Sequence, residues 1–174
     1  MTGRLRRSTH EARNMSSKIS IPIQTDFDEV SRKLAQQGRP SVRPRMHPGS
    51  LLQGFVCVYL GADGERCAAG HLMDAEPDVL RRLSGVASDT NSGSGGPRAL
   101  LVAGGHDIAF ACALQHAHDI ATSDFVDEVD AAAWRDGWAR EMRALAGQYE
   151  LDTTVFEAEL LRAADARAAG TVTT

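Results

Sequence analysis

The sequence predicts an α+β fold: one mostly helical domain with a short β element. Three observations carry this expectation. Apolar residues recur at steps of three and four through several long segments, which is the helical period. One run, Phe55-Val-Cys-Val-Tyr-Leu60, is instead continuously apolar, β-branched and aromatic, the pattern of a strand. The 174 residues suit one core plus tails and would be cramped as two full domains.

Taken in order, residues 1–24 are polar, Ser-rich and aperiodic and read as a disordered basic arm, with Met15 an alternative start within it. The domain itself is placed at 26–168, with a tail at 169–174. Asp26 to Gly38 reads as a helix: Asp26 is the N-cap, Glu29 sits at the capping-box position, and Phe27, Val30 and Leu34 form the stripe. Gly38 ends it. Pro40, Pro44 and Pro48 hold residues 39–50 extended. The strand at about 55–60 follows, then a Gly61-Ala-Asp-Gly64 turn whose Asp-Gly pair accepts positive φ. A helix starts near Cys67 and a shorter one covers Asp78–Leu83. Residues 84–98 are a flexible loop by composition, and Ala99–Ala103 is a candidate second strand. Residues 106–121 form a helix apolar on most sides, hence a central one. Residues 130–149 carry a cleaner stripe of Trp134, Trp138, Met142, Leu145 and Tyr149, with Asp136 and Arg140 paired on the opposite face. Asp152 caps a last helix whose inward residues are Val155, Phe156, Leu160 and Ala163. The helical spacing of the two tryptophans makes them core anchors rather than a ligand cage.

Charge is unevenly distributed. Residues 1–45 hold ten Lys or Arg against four Asp or Glu, a balance of +6, whereas the remainder holds nine against nineteen, a balance of −10. The acidic body argues against nucleic acid as the main ligand. Only the arm, through Arg4, Arg6, Arg7, Arg13 and Lys18, offers phosphate contacts, and it lacks interleaved aromatics on which bases stack. A protein partner is the expectation. No apolar run approaches the roughly 20 residues that cross a bilayer, so no membrane association is expected. The N-terminal arginines are not followed by a secretory apolar core. Three cysteines, an odd number, do not make a disulfide framework, and a reduced, cytoplasmic setting is expected.

Two segments hold residues able to do chemistry. The first is Asp63-Gly-Glu-Arg-Cys-Ala-Ala-Gly-His-Leu-Met73. A cysteine at a helix N-terminus meets the positive end of the macrodipole, which favours thiolate. His71, four positions on, would share its face, as a thiolate–imidazolium couple or two metal ligands require. Gly70 would admit a close backbone or substrate. The plainer alternative is a buried cysteine packed under a turn. The second segment is Leu114-Gln-His-Ala-His-Asp119. On a helix Gln115, His118, Asp119 and Thr122 share one face, with His118 available as base for Cys67. Asp119, about 100° around the helix from its neighbour, is a poor orienter of that imidazole. The alternative here is a hydrogen-bonded cluster that pins the loop carrying Cys67. His116 points elsewhere. Cys57, Cys67, His71, His106 and His118 are the conceivable metal ligands, but no C-x-x-C or H-E-x-x-H spacing occurs, so no metal or other cofactor is assigned. Two His-Asp pairs occur, His106-Asp107 and His118-Asp119, and His71, His118, Asp119 and Asp152 imitate the ligand set of helical His-Asp phosphohydrolases. There is no P-loop, dinucleotide loop or nucleophile elbow.

At these residues the chain resembles a loose group of small, uncharacterised bacterial and phage-encoded proteins. The shared pattern runs from a helix ending in Gly (Leu34–Gly38) to a strand with Cys57. It continues through Asp-Gly-x-x-Cys-Ala-x-Gly-x-Leu (Asp63–Leu72), Leu-Gln-x-x-His-Asp (Leu114–Asp119), a Trp-bearing helix (Trp134–Trp138) and Tyr-x-Leu (Tyr149–Leu151). The resemblance spans about residues 26–151. It implies an architecture and candidate positions but no activity, and the 84–98 loop and the basic arm depart from it.

Three functions follow as expectations. The first is a small accessory or regulatory protein, of phage or mobile-element type, that acts by binding another macromolecule. The second is a cysteine-dependent hydrolase or transferase with Cys67 as nucleophile, His118 or His71 as base and Asp107 or Asp119 as orienter. The third is a metal-dependent phosphohydrolase around His71, His118 and Asp119.

Overall fold

The computed structural model describes residues 20–45, 54–83, 96–123, 125 and 128–170. The elements run α1 (Ser20–Gln37), β1 (Val42–Arg45), β2 (Gly54–Cys57), α2 (Ala68–Leu72), α3 (Pro77–Arg82), α4 (Pro97–Ala103), α5 (Ile108–Thr122), α6 (Ala131–Tyr149) and α7 (Thr154–Ala168). This is the mostly helical α+β class that the periodicity predicts.

Helix α1 starts earlier than the capping signal indicates. Ser20 to Thr25 are helical, which corrects the expectation of disorder through residue 24, and Pro22 lies in the first turn, where no amide needs a helical acceptor. Asp26 is therefore inside the helix, buried, and bonded through Oδ1 to His106 Nδ1 at 2.8 Å. The predicted stripe holds: Phe27, Val30 and Leu34 are buried. Gly38 ends the helix at φ +70°, its amide donating to the Leu34 carbonyl at 2.9 Å.

The Pro-rich connector contains a strand. β1 pairs antiparallel with β2, Val42 opposite Cys57 and Arg45 opposite Gly54. Pro44 is compatible with this because a two-stranded ribbon leaves one edge of each strand without a ladder partner. The strand predicted at 55–60 stops at Cys57; Leu60 makes only an isolated bridge to Arg66 across the Gly61–Gly64 turn. There the Gly61 amide donates to Glu65 O at 2.7 Å, and Gly64 takes the expected positive φ.

Ala99–Ala103 is not a strand but the body of α4. Pro97 at the helix start and the Ala-Leu-Leu-Val-Ala sequence favour helix, and so short an apolar run has no readable period. The predicted loop thus ends before Pro97, and its residues 84–95, like residues 1–19, 46–53 and 171–174, lie outside the described residues.

Helices α5 and α6 pack as a close pair, with Gly137 against Ala121. Asp107 and Asp130 cap them, accepting from Phe110 N at 2.8 Å and from Ala132 and Ala133 N at 2.7 and 3.1 Å. Trp134 and Trp138 are fully buried and stack on each other with centroids 5.6 Å apart. Trp138 then meets Phe156 edge-on, and Phe156 meets Phe27, a chain of rings from α6 through α7 to α1. On the outer face Arg140 bonds its neighbour Glu141 at 3.0 Å, not the predicted Asp136. Gln24 clasps the start of α7 through both backbone groups of Asp152, each at 2.9 Å. Asp152 does serve the first turn of α7, accepting from Thr154 N at 2.8 Å, though Thr153 occupies the cap position. Among the described residues no helix is long and apolar enough to cross a membrane.

Candidate functional site

The two chemical segments come together where β2, α2 and α5 meet. Cys67 is the N-cap of α2; its Sγ accepts from Gly70 N at 3.4 Å. The close approach expected at Gly70 is to backbone: a Cβ there would lie 2.2 Å from the Tyr59 carbonyl oxygen. That approach buries Cys67 completely. Burial pushes its thiol up to about 12, overriding the helix-end amides that pull it down. The lowered value expected from the sequence is not realised, because desolvation exceeds the field of a five-residue helix.

His71, later on α2, is half-buried. Its imidazole is pushed down to about 3, chiefly by burial and then by Lys33, Arg66 and His118, so it is neutral near pH 7.

His118 is fully buried on α5 and contacts Cys57, not Cys67. Cys57 Sγ, at the end of β2, lies 3.3 Å from His118 Nδ1 and 3.1 Å from Thr122 Oγ1. The Thr122 hydroxyl donates to the His118 carbonyl at 2.7 Å. Asp119 is on the same side, its Oδ1 3.6 Å from His118 Nδ1. Gln115 spans the cluster: its amide nitrogen donates to Asp119 Oδ1 at 2.6 Å, and its amide oxygen accepts from Ala69 N at 3.0 Å. The shared polar face of α5 read from the sequence therefore exists, and Gln115 pins the helix that follows Cys67. The Cys57 thiol is held far above its ordinary value, first by burial and then by the charge on Asp119. Trp134 closes the far side, its ring 5.7 Å from that of His118.

This arrangement lacks the layout of a nucleophilic triad. Such a triad needs the nucleophile on one imidazole nitrogen and the orienting carboxylate on the other. Here thiol and carboxylate both address Nδ1, while Nε2 is buried without a partner among the described residues. Asp107 is occupied as the cap of α5, His106 with Asp26, and Asp152 with Gln24 and Thr154, so none joins His118. His71 and Asp152 stand outside the Cys57–His118–Asp119 group, and the phosphohydrolase-like set is not assembled. Sequence reasoning placed Cys57 among conceivable ligands but gave it no role. A cysteine at a strand end carries no mark of the helix it will face.

A second feature lies on the surface. A cavity of about 600 Å³ opens between the end of α1, the Gly61–Gly64 turn, α6 and α7. Arg39, Arg135, Arg162 and Arg167 line it, interleaved with Asp63, Glu65 and Glu159. Arg39 pairs with Asp63 and Glu65, and Arg162 with Glu159. Arg135 donates to the Gly38 carbonyl at 3.0 Å. Among the described residues neither Arg135 nor Arg167 has a carboxylate within ion-pair distance. The arm residues Arg4, Arg6, Arg7, Arg13 and Lys18 lie outside the described residues.

Comparison with protein-family models, curated proteins and solved structures finds no match for this chain. The resemblance noted above rests on its quoted residues alone.

Proposed function

We propose that this is a small accessory or regulatory protein that acts by binding an acidic segment of a protein partner in the groove between α1, α6 and α7. The observation that carries this reading is the pair Arg135 and Arg167, which share the cavity and, among the described residues, have no carboxylate within ion-pair distance. Arg135 is held below its ordinary value by partial burial, with a further contribution from Arg167 that Asp136 and Asp130 oppose from a distance. An incoming carboxylate relieves that repulsion, and two guanidinium forks suit bidentate carboxylate recognition. Nucleic acid suits the groove poorly. Among the described residues its lining includes no aromatic side chain for base stacking, and Asp63, Glu65 and Glu159 would oppose a continuous phosphate backbone. The sealed, protonated thiol of Cys67 does not favour the nucleophile reading.

The test is fluorescence anisotropy with a labelled alanine-based peptide bearing regularly spaced Asp and Glu. The full chain should bind it, more weakly at high salt. Arg135→Glu with Arg167→Glu should weaken binding by at least about tenfold, the scale of one lost charged hydrogen bond, while Cys67→Ser leaves it unchanged. Failure of the peptide to bind, or equal binding by the double variant, rejects the assignment.

A further inference from the structure

Binding an acidic segment in the groove leaves the Cys57–His118–Asp119 cluster without a task. Its donors are of three kinds, a thiol sulfur, an imidazole nitrogen and a carboxylate oxygen, and they lie within 4.8 Å of one another. The two pairwise distances that centre on His118 Nδ1 are 3.3 Å to Cys57 Sγ and 3.6 Å to Asp119 Oδ1. Around a tetrahedral ion with bonds of about 2.0 to 2.3 Å, adjacent donor atoms are separated by about 3.3 to 3.7 Å. Two of the three donor pairs thus stand at nearly the spacing that an ion between them requires, and the third lies within 4.8 Å.

We propose that Cys57, His118 and Asp119 form a binding site for a zinc-class divalent cation, with one coordination position left for water or a further ligand. A thiolate and an imidazole select zinc over magnesium or calcium, which prefer sets made only of oxygen. The charge balances as well. A thiolate and a carboxylate neutralise a divalent ion, so the loaded site places no net charge beside the buried tryptophan. On loading, the thiol proton leaves to solvent or buffer, and the Cys57–His118 hydrogen bond is replaced by two bonds to the ion, with the remaining imidazole proton on Nε2. Part of the supporting shell is present: Gln115 holds Asp119 Oδ1 and is itself fixed by Ala69 N, and Trp134 packs against the His118 ring, whose Nε2 has no partner among the described residues. The Asp119 side chain is 25% exposed, which gives an ion a way in, whereas His118 is fully buried. Ligand-spacing motifs miss such a site because the donors come from positions 57 and 118–119, brought together only by the packing of β2 on α5.

Cobalt(II) is the probe, titrated into the reduced full chain carrying Cys112→Ser, which removes the half-buried third thiol. One equivalent should produce a thiolate-to-cobalt charge-transfer band and tetrahedral visible absorption, both abolished by one equivalent of zinc. Asp119→Asn, a change at the partly exposed ligand, should weaken cobalt binding by at least about tenfold with the fold intact by circular dichroism. Cys57→Ser should abolish the charge-transfer band, and Cys67→Ser should leave it. A folded protein that gives no band overturns the proposal and leaves the cluster a hydrogen-bond network. So does a band that survives Cys57→Ser or is lost with Cys67→Ser.

Discussion

His71 stands on α2 with Lys33, Arg66 and His118 around a ring already withdrawn from water, and each of these influences disfavours the imidazolium. The consequence is a stability slope of known sign. Between about pH 3 and 6.5 the unfolded chain carries a proton that the native one does not. Stability from this group is therefore complete above the upper limit and lost as pH falls through the window, with a slope approaching about 1.4 kcal/mol per pH unit. Urea unfolding across that range should show His71→Gln with a shallower acid decline than the parent; equal slopes would mean that the imidazole is not held neutral. One position earlier, Gly70 faces the Tyr59 carbonyl, and that contact is backbone, which cannot rotate away. Gly70→Ala should cost about 1 to 3 kcal/mol, the usual penalty of overpacking, read as a lower urea midpoint at unchanged m-value.

At the scale of elements, legibility followed the length of the periodic signal. α5, α6 and α7 each run four or more turns with an apolar stripe and an Asp at or just before the start, and the sequence places α5, α6 and the start of α7 within two residues. α4 has seven residues, fewer than a period needs, and reads equally as strand or helix. β1 lies in a Pro-rich stretch whose residues are half-buried or exposed, so no apolar alternation marks it. Asp26 is a good N-cap by composition, yet the helix passes through it because His106, far along the chain, supplies its partner. The same logic assigns energies within α6. Trp138 is sealed between Trp134 and Phe156, so Trp138→Ala should cost about 3 to 5 kcal/mol. Asp130→Ala, which removes two capping bonds, should cost about 1 kcal/mol. A reversed order in chemical denaturation would place the stability of α6 in its cap and not in its buried rings.

Across the whole molecule, the polar face of α5 was legible as a pattern, but its partner was not. Helical spacing specifies which residues of one helix share a side, whereas the identity of the facing strand depends on packing over a long loop. Cys67, with a helix start and a nearby histidine, carried the stronger local signal, yet Cys57 stands against His118. The three thiols consequently report three environments in one labelling experiment. Cys112 is partly exposed on α5, while Cys57 and Cys67 are buried and their thiols are held protonated. Under native conditions Cys112 should alkylate first, and the other two only through opening of the structure. Because every 1.4 kcal/mol is about tenfold in an opening equilibrium, Gly70→Ala should accelerate labelling of Cys67 by about 5- to 140-fold and leave Cys112 unchanged. Mass spectrometry of the alkylated chain separates the three sites. Were Cys67 instead the fastest thiol in the native protein, it would have to reach solvent as a thiolate, and the sealed contact between α2 and Tyr59 would not describe its resting state.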